Sequence, residues 1–221
     1  MFIGHSLPNN KTRMKRQIII LCMLLVLGQT HLWGQTAKEL NERGKNKASF
    51  KNFAGAEEDF TKAIQQDSTV AEYYYNRGLA RRILKKYPEA LADYNKAIAI
   101  EPKYSAAFYN RGNTYMEQKN YLSAISDYSK VIELTPTISF AYNNRGLAKV
   151  NIGNFLSAIP DYDKAIELLP NYADAYYNRG IAKFRLGNRP AACKDFEKAL
   201  ELDFKQAKGD IDKYCKGLLE K

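Results

Sequence analysis

Small, aromatic and polar positions recur along the chain at one interval, 34 residues. Ala56, Ala90, Ala124, Ala158 and Ala192 form one column, and Phe60, Tyr94, Tyr128, Tyr162 and Phe196 form a second. Polar columns run beside them. Asn76-Arg77-Gly78 returns as Asn110-Arg111-Gly112, Asn144-Arg145-Gly146 and Asn178-Arg179-Gly180, with a fainter copy at Glu42-Arg43-Gly44. Asp59, Asp93, Asp127, Asp161 and Asp195 keep the same step, and Pro102, Pro136 and Pro170 close three of the units. Self-similarity at such a period marks stacked supersecondary units, each burying its apolar face against its neighbours. Each unit reads as two helices. In the second, helix A runs from about Glu72 to Leu84, Lys85-Lys86-Tyr87 turns the chain, and helix B starts at Pro88. A proline suits that first position because its missing N–H would be unpaired there anyway. Pro190 holds the same place in the fifth unit, and Pro102 ends a helix B because it cannot continue one. Pro160 falls in the second turn of its helix, where at most a slight bend is expected.

In unit two the columns read Tyr74, Gly78, Tyr87, Ala90, Tyr94, Ala97 and Pro102. That order of aromatic, small, aromatic, Ala, aromatic, Ala and closing Pro resembles the tetratricopeptide repeat family, over roughly residues 37 to 206. The resemblance implies an all-α fold: a right-handed α-solenoid of five helix-turn-helix repeats with a C-terminal capping helix. The expected division is a signal peptide at 1–34, repeats at 37–70, 71–104, 105–138, 139–172 and 173–206, and the capping helix at 207–221. Gly78 and Ala90 are expected where the two helices of a unit cross, with Tyr74, Tyr87 and Tyr94 filling the space around them. Buried aromatics of this kind remove about 150–250 Å² each from water.

The arginine column (Arg43, Arg77, Arg111, Arg145, Arg179) matches the aspartate column one for one. Equal counts in register predict an ion pair between helix A and helix B, within a unit or between neighbours. As exposed pairs these would contribute only about 0–1 kcal/mol, fixing register more than stability; a binding role for the arginines is the alternative. At the C-terminus Ile211, Cys215, Leu218 and Leu219 lie at i, i+4, i+7 and i+8, one apolar helical stripe. Cys215 then faces the helix that carries Cys193. In an exported protein the two are expected to form a disulfide, which in the chain-entropy model is worth about 3 kcal/mol; two buried thiols are the alternative.

Composition changes the picture mainly at the N-terminus. The net charge is +10, but residues 1 to 34 hold Lys11, Arg13, Lys15 and Arg16 and no acid, so the remainder carries +6. Those cations precede the apolar run Ile18 to Leu27, and Gln29, Thr30 and His31 follow. This is the layout of a secretory signal peptide, and the run is well short of the roughly 20 residues a membrane-spanning helix needs. Cleavage is expected after Gly34 or Gln35, with Gly28 as an alternative, and Met14 is a candidate start. Cys22 lies inside the apolar run, not at its end where lipid attachment would need it. The expected address is outside the cytoplasm, the periplasm first, with secretion or anchoring by an uncleaved leader as alternatives.

Removal of the leader takes both histidines, His5 and His31, with it. Ser-His and Cys-His nucleophilic pairs and most zinc sites then go as well. There is no Gly-rich phosphate loop, so neither enzymatic activity, nor a cofactor, nor a metal is expected. Nucleic acid is not an expected partner either. The mild positive charge is spread over helices, and a one-base-per-repeat code needs its reading position to vary, whereas Asn recurs at every unit.

In the resembled family helix A lines the concave surface, where ligands lie as extended peptides or helices. On that footing Asn76, Asn110, Asn144 and Asn178 would fall on the groove as a ladder of amides able to grip a peptide backbone. Tyr75, Tyr109 and Tyr177 stand beside them, with Asn143 interrupting the row, and Asn113 and Arg82 add a second amide and a charge further along helix A. The alternative is that the asparagines only bond neighbouring helices. The clamp of two Lys, two Asn and one Arg that some members use for the acidic C-termini of chaperones is incomplete here. The expected function is thus a non-enzymatic scaffold or adaptor holding a peptide or helix of a partner protein. The alternative is a structural scaffold of the cell envelope that associates with itself.

Overall fold

The computed structural model describes residues 35–216; the expected signal peptide lies outside them. Among the described residues there are eleven helices and no strand. They pair as helix A and helix B of five units: α1 (Ala37–Ser49) with α2 (Phe53–Gln66), α3 (Ala71–Ile83) with α4 (Tyr87–Ile100), and α5 (Ser105–Glu117) with α6 (Tyr121–Leu134). Then come α7 (Ser139–Asn151) with α8 (Phe155–Leu168), and α9 (Ala173–Arg185) with α10 (Arg189–Glu201), before a short α11 (Ala207–Tyr214). Each helix packs on the one before and the one after it, which makes an α-solenoid. Bounds differ from expectation by a residue: α3 ends at Ile83, and Tyr87 precedes Pro88 in α4. The helix α8 runs on through Pro160.

Two columns explain why the helices of a unit close on each other. Ala56, Ala90, Ala124, Ala158 and Ala192 are fully buried, as are Tyr94, Tyr128 and Tyr162. The aromatic ring of helix B lies against the glycine of helix A. A Cβ on Gly78 would stand 2.8 Å from Cε1 of Tyr94, and one on Gly180 would stand 2.6 Å from Cε1 of Phe196. Only a hydrogen fits there.

The turn between the helices is the same device five times. One residue takes the left-handed conformation: Lys51, Lys85 and Lys119 at φ 61°, 60° and 59°, then Gly153 and Gly187 at 79° and 82°. In unit one the Lys51 N–H donates to the Ala48 carbonyl and the Asn52 N–H to the Lys47 carbonyl, both at 2.9 Å. These are the two bonds of a Schellman cap. Asn52 then starts the next helix, its side chain accepting from the Gly55 N–H, and Asn120, Asn154 and Asn188 do likewise. Stop and start signals share one residue, so the connection is short and stiff.

The inside of the curve follows from the packing. Helices A of neighbouring units touch directly at α1·α3, α3·α5 and α7·α9, whereas neighbouring B helices make no comparable contact among the described residues. The A helices therefore line the concave side.

A disulfide joins Cys193 of α10 to Cys215, just past α11. Ile211 packs in the same terminal cluster, as the apolar stripe predicts, while Leu218 and Leu219 lie outside the described residues. The capping helix is shorter than expected, ending at Tyr214. Helices A begin at residues 37, 71, 105, 139 and 173, and α11 begins at 207 on the same count. It occupies the register of a sixth helix A. Tyr214 stands where the glycine column would continue, and its ring stacks on Phe184 with centroids 4.4 Å apart.

Candidate functional site

The paired charges turn out to belong to the scaffold. Every column arginine holds the aspartate 16 residues further on in its own unit with two N–H groups. Examples are Arg111 Nε to Asp127 Oδ2 at 2.8 Å and Nη2 to Oδ1 at 2.6 Å. The remaining Nη1 reaches back to helix B of the preceding unit: Thr61, Asn95, Ser129 and Asp163 receive it from Arg77, Arg111, Arg145 and Arg179. Four of the five guanidinium groups, all but that of Arg43, also lie over the ring three residues earlier, as Arg77 over Tyr74 at 5.7 Å. A second cation one turn on joins most of the pairs: Lys47, Arg81, Lys149 and Lys183 bind Asp59, Asp93, Asp161 and Asp195.

This corrects the expectation of exposed, weak pairs. All five aspartates are buried, at 4% exposure or less. Removing either partner would leave a buried charge uncompensated, a far larger cost than losing a surface pair. The arginine N–H groups are engaged inside the array.

The asparagine column is also tied between units. Its amide nitrogens donate 35 residues back: Asn76 to Asn41 at 2.9 Å, Asn110 to the Tyr75 hydroxyl at 3.1 Å, Asn144 to the Tyr109 hydroxyl at 3.0 Å, and Asn178 to Asn143 at 3.1 Å. Second bonds join Asn110 to the Ala106 carbonyl and Asn144 to Asn113. The tyrosine row and the asparagine column thus form one seam down the concave side. At its C-terminal end the Tyr177 hydroxyl donates to Asp210 of α11 at 2.7 Å. Burial, with Asp210 beside it, pushes the Tyr177 phenol up to about 12.

The donor half of the expected amide ladder is therefore taken up between units, while the amide oxygens of Asn76, Asn110 and Asn178 accept no hydrogen bond among the described residues. Asn143 is buried and bonds Asn144 and Asn178. Asn113 accepts from the buried Tyr128 hydroxyl at 2.7 Å. Leu79 and Leu147 stand 34 residues either side of Asn113, and opposite them the Tyr94 and Tyr162 hydroxyls are buried without a partner. Arg82 bonds Glu117 at 2.6 Å. Sequence reasoning did not single out Glu117 or Asp210; the signal was their spacing, 35 residues after Arg82 and 33 after Tyr177. Among the described residues no three His, Cys, Asp or Glu side chains gather as metal ligands would, and no helix is long and apolar enough to cross a membrane.

Models of the TPR repeat match residues 78–119 and 149–187, and two further tetratricopeptide repeat models match 105–138 and 173–205. Together with the helix pairs and their glycine–aromatic crossings, that decides the family. The chain belongs to the tetratricopeptide repeat family.

Solved tetratricopeptide repeat structures superpose on most of it. MamA shares 27% identity, covering 75% of this chain and 96% of its own, with a TM-score of 0.69. YrrB, described as a TPR protein with an unusual peptide-binding site, shares 24%, covering 80% and 92%, at 0.70. A tetratricopeptide repeat protein from Parabacteroides merdae shares 24%, covering 81% and 79%, at 0.69. The last two, at that identity, speak for the fold alone. No curated protein matches the chain. A tetratricopeptide repeat array is a protein-interaction scaffold, and such scaffolds are typically non-enzymatic.

Proposed function

We propose that this tetratricopeptide repeat protein is an exported adaptor that holds a segment of a partner protein, as an extended peptide or a helix, in its concave groove. The observation that carries the reading is the composition of the inner face. Tyr75, Tyr109 and Tyr177 are only partly buried there, beside amide oxygens held in register by the seam. Flat rings with hydroxyl groups give contact area at low entropic cost, and evenly spaced acceptors suit the N–H groups of a peptide backbone.

Export is supported by the basic-then-apolar leader and by the Cys193–Cys215 disulfide, since such bonds persist in oxidising compartments. Two measurements test the reading. Intact mass from the native host should begin near Gln35 or Thr36, with no free thiol; a full-length mass with two thiols in the array would refute export. Amide shifts of the labelled protein with a peptide selected from a display library should move on α3, α5, α7 and α9. Shifts confined to B helices would refute the groove.

One observation favours self-association as a second reading. Leu122 and Leu156, 34 residues apart on α6 and α8, are 70% and 72% exposed. A dimer in sedimentation velocity that Leu122→Glu dissolves would support it.

A further inference from the structure

One guanidinium on the concave side differs from the five in the arginine column. Arg77, Arg111, Arg145 and Arg179 each engage all three nitrogens. Arg82, on the last turn of α3, makes a single hydrogen bond, from Nη1 to Glu117, and its buried Nε has no acceptor. The Tyr94 hydroxyl is buried too and stands close to Arg82 and Thr114, with no hydrogen bond of normal geometry to either. Burial drives that phenol far above its usual range, and the neighbouring Arg82 pulls the other way. Arg82 exerts the same pull on Tyr75 and Tyr109, so it is the positive charge these tyrosines share.

The surroundings are rich in donors. Asn113 uses its oxygen to accept from Tyr128 and Asn144, and its NH₂ lies beside the Tyr109 hydroxyl. The Tyr75 and Tyr109 hydroxyls accept from Asn110 and Asn144, which leaves their protons to donate. Against them stands one carboxylate, Glu117, the last residue of α5, with a side chain 38% exposed. A neutral carbonyl would satisfy one of these donors. A carboxylate has two oxygens and a full charge, and a guanidinium takes it more strongly than it takes a neutral acceptor.

We propose that the place between units two and three is a subsite for an aspartate or glutamate side chain of the bound peptide, which takes Arg82 in exchange for Glu117. The inference rests on the groove-binding reading. Leu79 stands one turn before Arg82 on α3 and Met116 next to Glu117 on α5, so the sequence it selects is an acid beside apolar residues.

The test uses the full chain and a random 12-residue peptide display library. One enriched peptide and its Glu→Gln or Asp→Asn analogue are then titrated calorimetrically. Enriched peptides should carry an acid next to apolar residues. Arg82→Gln should weaken the acidic peptide about tenfold and erase its advantage over the analogue. Glu117→Gln should strengthen it several-fold, by removing the competing carboxylate, and Lys130→Gln on the outer face should change nothing. If Arg82→Gln fails to fold by circular dichroism, Glu117→Gln alone reads the exchange. Peptides that bind without an acid preference, or that Glu117→Gln weakens, overturn the subsite and leave the groove standing. An array that enriches no peptide overturns both.

Discussion

A methyl group added at Gly112 would stand 2.9 Å from Cε1 of the buried Tyr128 ring. The ring cannot retreat, because its hydroxyl is held by Asn113 and its neighbours are packed. Gly112→Ala should cost about 1–3 kcal/mol of overpacking, read as a fall in urea midpoint with unchanged slope. The buried aspartates make a stronger claim. Asp93→Asn strands Arg77 and Arg81 against a neutral amide, and a loss of about 3 kcal/mol or more is expected in the same assay. Asp59 adds a pH dependence. Hydrogen bonds from Arg43, opposed by burial and helped by Lys47, hold its carboxyl at about 2. A carboxyl depressed below its unfolded value contributes stability at pH above about 4, and that stability is lost as pH falls toward 2. Melting temperature should drop across that window in the parent and drop less in Asp59→Asn.

Each connection between helices A and B places one residue at positive φ, and three of the five are lysines. A β-carbon in that conformation costs about 1–2 kcal/mol, part of which glycine gives back through its looser unfolded chain. Lys85→Gly should therefore stabilise by a few tenths to about 1 kcal/mol, and Gly153→Lys should destabilise by a similar amount, both by thermal melts. This is where the sequence was only partly legible. Lysine has no preference for the left-handed region, so Lys51, Lys85 and Lys119 betray their conformation only by standing 34 residues apart in line with Gly153 and Gly187. The helix pairs themselves were readable, because a crossing that admits only hydrogen against an aromatic ring repeats its own chemistry. The partner of each arginine was not, since a pairing within a unit and one between units leave the same columns. Nor was the state of the asparagine amides. Whether a donor faces a guest or the next helix depends on a residue 35 positions away, and a column of identical residues carries no trace of it.

Stability in a stack of this kind is nearly a sum over units and their junctions, so perturbing one end should be felt there first. Reducing the Cys193–Cys215 bond opens a loop of 22 residues, worth about 3 kcal/mol in the chain-entropy model. Hydrogen exchange in dithiothreitol should lose protection in α9 to α11 and keep it in α3 to α6; uniform loss would mean that the array melts as one body. The last described helix, α11, starts where a sixth helix A would start, yet it carries a tyrosine in the glycine column. Tyr214 stands where a glycine would admit the ring of a following helix, its own ring lies against Phe184, and the sulfur bridge fastens the next residue to α10. A helix B engineered to pack on α11 would therefore meet a phenol where each earlier unit offers a hydrogen, and glycine at 214 would be the first change such an extension needs, a stopper written in one side chain.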